Sequence, residues 1–202
     1  MTGGPATGRW AVVLAGYRAV PPPGIAADSY AEACLADSYE VIAGLSEIRA
    51  GLAGDAESLE EIRWPSDRVF AGDGRSVRAI ADQLDDATEL IVVAADVPDL
   101  PELIIAKIAK ALARADVALA PEIGGAGLAA AGVRLPWPAW LDRDLDLDLD
   151  PYQDLGEAAP RRNLVVHTPG WHRLRTPEAV HRLDPRLEGW DNVRLLITAP
   201  LG

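Results

Sequence analysis

Leu90-Ile91-Val92-Val93-Ala94-Ala95 is an uninterrupted apolar run, rich in β-branched residues, that ends in Asp96-Val97-Pro98-Asp99. Such a run suits a central parallel strand covered by helices on both faces. Its acidic turn then lies at the carboxyl end of a strand, which is where open α/β sheets bind ligands.

The flanking segments fit this strand. Trp10 to Ala15 reads as a first strand, buried on both faces. In the loop that follows, Ala19-Val20-Pro21-Pro22-Pro23-Gly24, the prolines exclude helix and strand. Asp28 or Ser29 is expected to cap a helix with Tyr30, Cys34, Tyr39 and Leu45 on or near its apolar stripe and Asp37 and Glu40 away from it. Glu47 to Leu52 is a weak second strand, Asp55 opens a short acidic helix, and Arg68-Val69-Phe70 is a brief edge strand. Ser76 begins a helix carrying Val77, Ile80, Ala81 and Leu84. Pro101 suits the first turn of another, whose buried face is Leu103, Ile104, Ile108 and Leu112. Asp116 to Ala120 is the next strand. This alternation predicts an α/β fold, a three-layer Rossmann-like arrangement with a mostly parallel sheet. The loops after Ala15, Ala95 and Ala120 should converge on one crevice.

Beyond Val133 the pattern changes. Asp142 to Asp150 alternates Asp with Leu almost strictly, which predicts a half-buried strand with its carboxylates on one face. The expected division is a main domain over 1–156 and a C-terminal extension over 157–202 packed on it, with helix and strand of its own. That extension holds all three histidines.

The net charge of −12 argues against a nucleic-acid or anionic-membrane surface. It is compatible with carboxylates that hold a divalent cation, and equally with solubility alone. A single cysteine permits no internal disulfide and suits a reducing, cytoplasmic setting. No segment approaches the roughly 20 apolar residues of a membrane span. The N-terminal stretch lacks the pattern of a signal peptide.

Several motifs carry little. Gly3 to Arg9 has the glycine spacing of a phosphate loop but lacks the Lys-Ser/Thr and precedes a strand. Gly125-Ala126-Gly127 with Ala130 fits a dinucleotide fingerprint but comes too late in the chain. His167, His172 and His181 have no metal-ligand spacing. The better constellation is Asp96 with Asp148 and Asp150, strand-end carboxylates of the kind that bind Mg²⁺ alongside phosphates. The alternative is that Asp96 caps the next helix and the Asp-Leu run is a solvated face.

The order of these motifs resembles the nucleotide-diphospho-sugar transferase (glycosyltransferase A) fold. The most similar groups are the molybdenum-cofactor and phospholactate nucleotidyltransferases and related bacterial glycosyltransferases. The matching stretches are Arg18 to Gly24, Asp96 to Leu100, Pro121 to Gly127 and Asp148 to Leu155. The resemblance implies Mg²⁺ or Mn²⁺ bound by Asp96 and by Asp148 or Asp150. It implies nucleotide contacts from Ala15, Gly16, Arg18 and Gly24, and backbone contacts near Gly124 and Gly125. The implied activity is divalent-metal-dependent nucleotidyl or glycosyl transfer on a nucleotide or nucleotide-sugar. The sequence departs from the family at Ile25-Ala26-Ala27-Asp28, where basic residues are usual, and at Ile123, where Asp or Arg is common. Cations could come instead from Arg161, Arg162, Arg173 and Arg175. Two alternatives stand beside the active transferase: a catalytically silent member that binds or assembles, and an unrelated dinucleotide-binding α/β protein.

Overall fold

The computed structural model describes residues 8–198. Seven strands form one sheet: β1 (Arg9–Leu14), β2 (Arg49–Gly54), β3 (Arg68–Ala71), β4 (Glu89–Ala94), β5 (Val117–Pro121), β6 (Leu128–Arg134) and β7 (Val165–His167). Their order is β3-β2-β1-β4-β6-β5-β7. Only β6 runs against the rest, pairing antiparallel with β4 and with β5. The α/β, mostly parallel sheet expected from the alternation is therefore present. Among the described residues six α-helices connect or flank the strands: α1 (Ala27–Ala43), α2 (Ala56–Leu59), α3 (Val77–Ala81), α4 (Glu102–Leu112), α5 (Tyr152–Ala158) and α6 (Asp191–Thr198). No described helix is long and apolar enough to cross a membrane.

Right-handed crossovers explain the layering. The chain steps one way from β1 through α1 to β2, and the other way from β4 through α4 to β5, so α1 and α4 cover opposite faces. Strand order reverses between β1 and β4, which makes their carboxyl ends the switch point. Val12, Val13, Ile91, Val92 and Val93 are fully buried there.

Local expectations mostly hold. Asp55 and Ser76 cap α2 and α3 by accepting from the backbone N–H groups of Ser58 and Ala79. Four expectations need correction. Helix α1 starts at the Ala26 cap position without a side-chain cap, and Asp28 instead meets Arg18 at 2.6 Å. Asp37 is fully buried, because its carboxylate accepts from the backbone N–H groups of Asn192 and Val193 and from the Asn192 side chain, and so caps α6. Leu103 is 61% exposed, and Ile105 takes its place on the buried face of α4.

The Asp-Leu run is no strand. Leu145 and Leu147 are buried as the alternation requires, but the carboxylates serve as local acceptors. Asp144 takes hydrogen bonds from the Ser76 hydroxyl at 2.6 Å and the Arg78 N–H at 2.9 Å. Asp146 accepts from the Tyr17 hydroxyl at 3.0 Å, and that oxygen accepts from the Leu147 N–H at 2.9 Å. The sheet position beside β4 belongs to β6, which the sequence did not suggest.

The tail is woven into the molecule. It supplies β7, parallel to β5, and α6, which packs on α1. A second apolar cluster joins Ala19, Tyr30 and Cys34 to Leu174, Leu183, Trp190 and Val193. Most of the Gly3–Arg9 segment lies outside the described residues. Gly125 to Gly127 lie in the turn between β5 and β6, not between a strand and a helix, as a dinucleotide fingerprint requires.

Candidate functional site

Two loops close on each other above the switch point. The Gly16 N–H donates to the Gly74 carbonyl at 3.0 Å. A Cβ on Gly74, whose φ is +68°, would come within 2.7 Å of the Gly16 nitrogen, so only glycine allows this approach. Alongside lies a cavity of about 840 Å³, lined in part by Ala15, Gly16, Gly54 and Ala95 and by α6. Its charged lining is mostly acidic: Asp28, Glu32, Asp55, Glu61 and Asp73 face a single arginine, Arg18. Arg18 is already engaged by Asp28.

Beside this cavity, the tail passes over the end of β4. The Leu174 N–H donates to the Asp96 carbonyl at 2.9 Å, and the Val20 N–H donates to the Leu174 carbonyl at 2.8 Å. This strap drives Arg173 inward. Its Nε donates to both Asp96 carboxylate oxygens, at 2.8 and 3.1 Å. Its Nη1 donates to the Leu147 carbonyl at 2.8 Å, the Leu128 carbonyl at 3.3 Å and Asp148 Oδ1 at 3.2 Å. Both side chains of the Asp96 pair are buried, Arg173 at 2% exposed and Asp96 at 0%. Burial pushes the Asp96 carboxyl up, against the pull of the Arg173 guanidinium. Burial also opposes the Arg173 charge, but Asp96, Asp148 and Glu122 together outweigh it and raise its pKa.

Asp148 gathers two more guanidiniums. Arg75 Nη2 lies 2.5 Å from its Oδ2, and Arg175 Nη2 lies 3.3 Å from its Oδ1. Burial alone would raise the Asp148 carboxyl, but Arg75, Arg173 and Arg175 outweigh it and hold it below the ordinary range. Arg75 also donates to the Gly16 carbonyl at 3.2 Å and stacks over Tyr17. Arg175 also reaches Glu122 at 3.1 Å.

Asp96 and Asp148 thus share one guanidinium, whereas Asp150 sits apart. Asp150 pairs with His167 at 2.9 Å and accepts from the Tyr152 N–H at the start of α5. Ala15, Gly16 and Arg18 line the cavity; Gly24, Gly124 and Gly125 are not among its lining residues. Gly24 and Gly124 hold positive φ in exposed turns, and Arg182 lies against Gly124. Of the tail arginines, Arg173 and Arg175 reach the carboxylates, while Arg161 and Arg162 are exposed elsewhere. Arg75 was not anticipated; the Asp73-Gly74 turn after a strand was its only signal in the sequence.

A divalent ion needs several oxygen ligands free to face it. Both Asp96 oxygens face Arg173, and among the described residues no group of three or more His, Cys, Asp or Glu is arranged to hold a metal. The residues as placed do not fit a divalent cation at Asp96.

No family model matches the sequence, and no curated protein matches it. Solved structures do. A nucleotide-diphospho-sugar transferase, so assigned, from Desulfovibrio desulfuricans G20 is 17% identical, with a TM-score of 0.64 over 93% of this chain and 94% of that one. The 4-diphosphocytidyl-2C-methyl-D-erythritol synthase of Anaerococcus prevotii DSM 20548 is 13% identical, with a TM-score of 0.58 over 87% and 94%. Rv0371c of Mycobacterium tuberculosis H37Rv, solved in complex with manganese, is 17% identical, with a TM-score of 0.51 over 96% and 100%. At these identities the likeness concerns the fold, and on that ground the chain has the nucleotide-diphospho-sugar transferase fold.

Proposed function

We propose that this chain is a ligand-binding member of the fold that has given up divalent-metal catalysis at its switch point. The carrying observation is the Arg173 guanidinium, held by Asp96 and Asp148 together. A guanidinium offsets charge and donates hydrogen bonds, but it cannot act as a Lewis acid that exchanges ligands. The ligand class that accords with the fold is a nucleotide or nucleotide-sugar, bound between the Gly16 loop and the β5–β6 turn. The single, buried Cys34 agrees with a reducing, cytoplasmic setting.

Thermal-shift and calorimetric titrations with nucleoside triphosphates and nucleotide-sugars, each with EDTA or with Mg²⁺ or Mn²⁺, test the proposal. A ligand that binds the native state raises the melting temperature. Binding undiminished by EDTA, with no metal-stimulated turnover, is the expected result. Binding that requires metal would overturn it. A second reading, metal-dependent nucleotidyl or glycosyl transfer, draws support from the manganese complex of Rv0371c. It requires Arg173 to leave Asp96 when a metal enters.

A further inference from the structure

Arg75, Arg173 and Arg175 converge on the one carboxylate of Asp148. Each comes from a distant part of the chain, the turn after β3 or the tail, and each is anchored independently of Asp148. Arg75 is held by the Gly16 carbonyl, by Tyr17 and by Asp146 at 3.3 Å, Arg175 by Glu122, and Arg173 by Asp96. Removing the Asp148 carboxylate would therefore leave the three cations in place.

Their exposure differs in a telling way. Arg173 is buried, but the Arg75 and Arg175 side chains are 39% and 36% exposed and Asp148 is 31% exposed. Asp148 also lies in the irregular segment between β6 and α5, where no strand pairing restrains it. The cluster stands between Gly16 and the β5–β6 turn. A Cβ on Gly16 would meet Arg75 Cγ at 2.5 Å, and one on Gly127 would meet Arg175 Nη1 at 3.2 Å. The first loop, by contrast, offers only Arg18, already paired with Asp28.

We infer that Arg75 and Arg175, beside Arg173, form a metal-independent subsite for the diphosphate group of a ligand, and that Asp148 is a tethered anion which the ligand displaces. A guanidinium fork matches phosphate oxygens in pairs, and a phosphate brings more charge and more acceptors than a carboxylate. Asp148 then swings toward solvent and the two half-exposed arginines turn onto the phosphate. The inference rests on the metal-free reading above and adds the groups that hold the ligand.

Calorimetry of the full chain with sodium pyrophosphate, in EDTA at constant ionic strength, is the test. Pyrophosphate is expected to bind, Asp148→Asn to tighten it about tenfold, and Arg75→Gln or Arg175→Gln to weaken it at least tenfold. Arg75→Lys and Arg175→Lys, which keep the charge and lose the fork, should fall between and show that the fold survives. Parallel titrations with ADP, GDP, CDP and UDP identify the source. Tighter binding than pyrophosphate places the diphosphate on a nucleotide, and equal binding places it on free diphosphate; either supports the subsite. No pyrophosphate binding by the wild type and Asp148→Asn, or weaker binding by Asp148→Asn, would overturn it. Nucleotide binding that survives EDTA and both Gln substitutions would remove the subsite and leave the metal-free reading standing. Binding lost in EDTA would remove that reading itself.

Discussion

Arg173 and Asp96 form a buried ion pair 77 residues apart in sequence. Such pairs add little over an apolar replacement, but breaking one costs about 3–5 kcal/mol, because a lone charge stays buried. Arg173→Ala is therefore expected to destabilise the protein by about that amount in urea melts. Adding Asp96→Asn should recover a large part of the loss. A double variant no more stable than Arg173→Ala alone would contradict the pairing. Asp37 is another buried carboxylate with a defined task. Losing its hydrogen bonds to the start of α6 in Asp37→Ala should cost about 2 kcal/mol. Burial, only partly offset by the hydrogen bonds from Val193 and Asn192, raises its carboxyl to about 6. The unfolded value is about 3.9, so between the two the folded state holds more protons and its stability falls as pH rises. Asp37→Asn should flatten this slope in denaturant melts between roughly pH 4 and 6. The sequence placed Asp37 off the apolar stripe of α1, because periodicity reports one helix at a time and α6 arrives from the far end of the chain.

At the level of elements, β6 shows why a strand can escape notice. Its sequence, LAAAGVR, has little of the branched and aromatic content that marks strands. Packing demands that smallness. A Cβ on Gly132 would come 2.4 Å from Ile108 Cγ2 and 3.0 Å from Leu112 Cδ1, both on α4. Gly132→Ala is expected to cost about 1–3 kcal/mol by overpacking. Ile108→Val in the same chain should relieve part of that cost, and additive losses in thermal melts would count against the contact. The Asp-Leu run errs the other way. Its alternation was visible, and Leu145 and Leu147 are buried while Leu149 is exposed, yet Asp144, Asp146 and Asp148 are claimed by α3, Tyr17 and three arginines. Alternating burial needs only an extended chain on an apolar surface, not a strand partner.

Across the whole molecule, the tail completes both the sheet and the site. It contributes β7, the second apolar cluster and the arginines on Asp96 and Asp148. Far-UV circular dichroism and tryptophan fluorescence should therefore report one coincident unfolding transition. Two separated transitions would show that residues 157–202 fold apart from the rest. Read along the chain alone, the residues already specify the α/β class, the two core strands, the helix starts at Asp55 and Ser76, and the acidic turn at the end of β4. These follow from local periodicity and backbone chemistry, which act over a few residues. What Asp96 faces is set instead by the packing of distant segments. A carboxylate at a strand end serves a metal or a guanidinium equally well. Which one it meets depends on where a strap some 77 residues downstream crosses the crevice, and no local pattern encodes that.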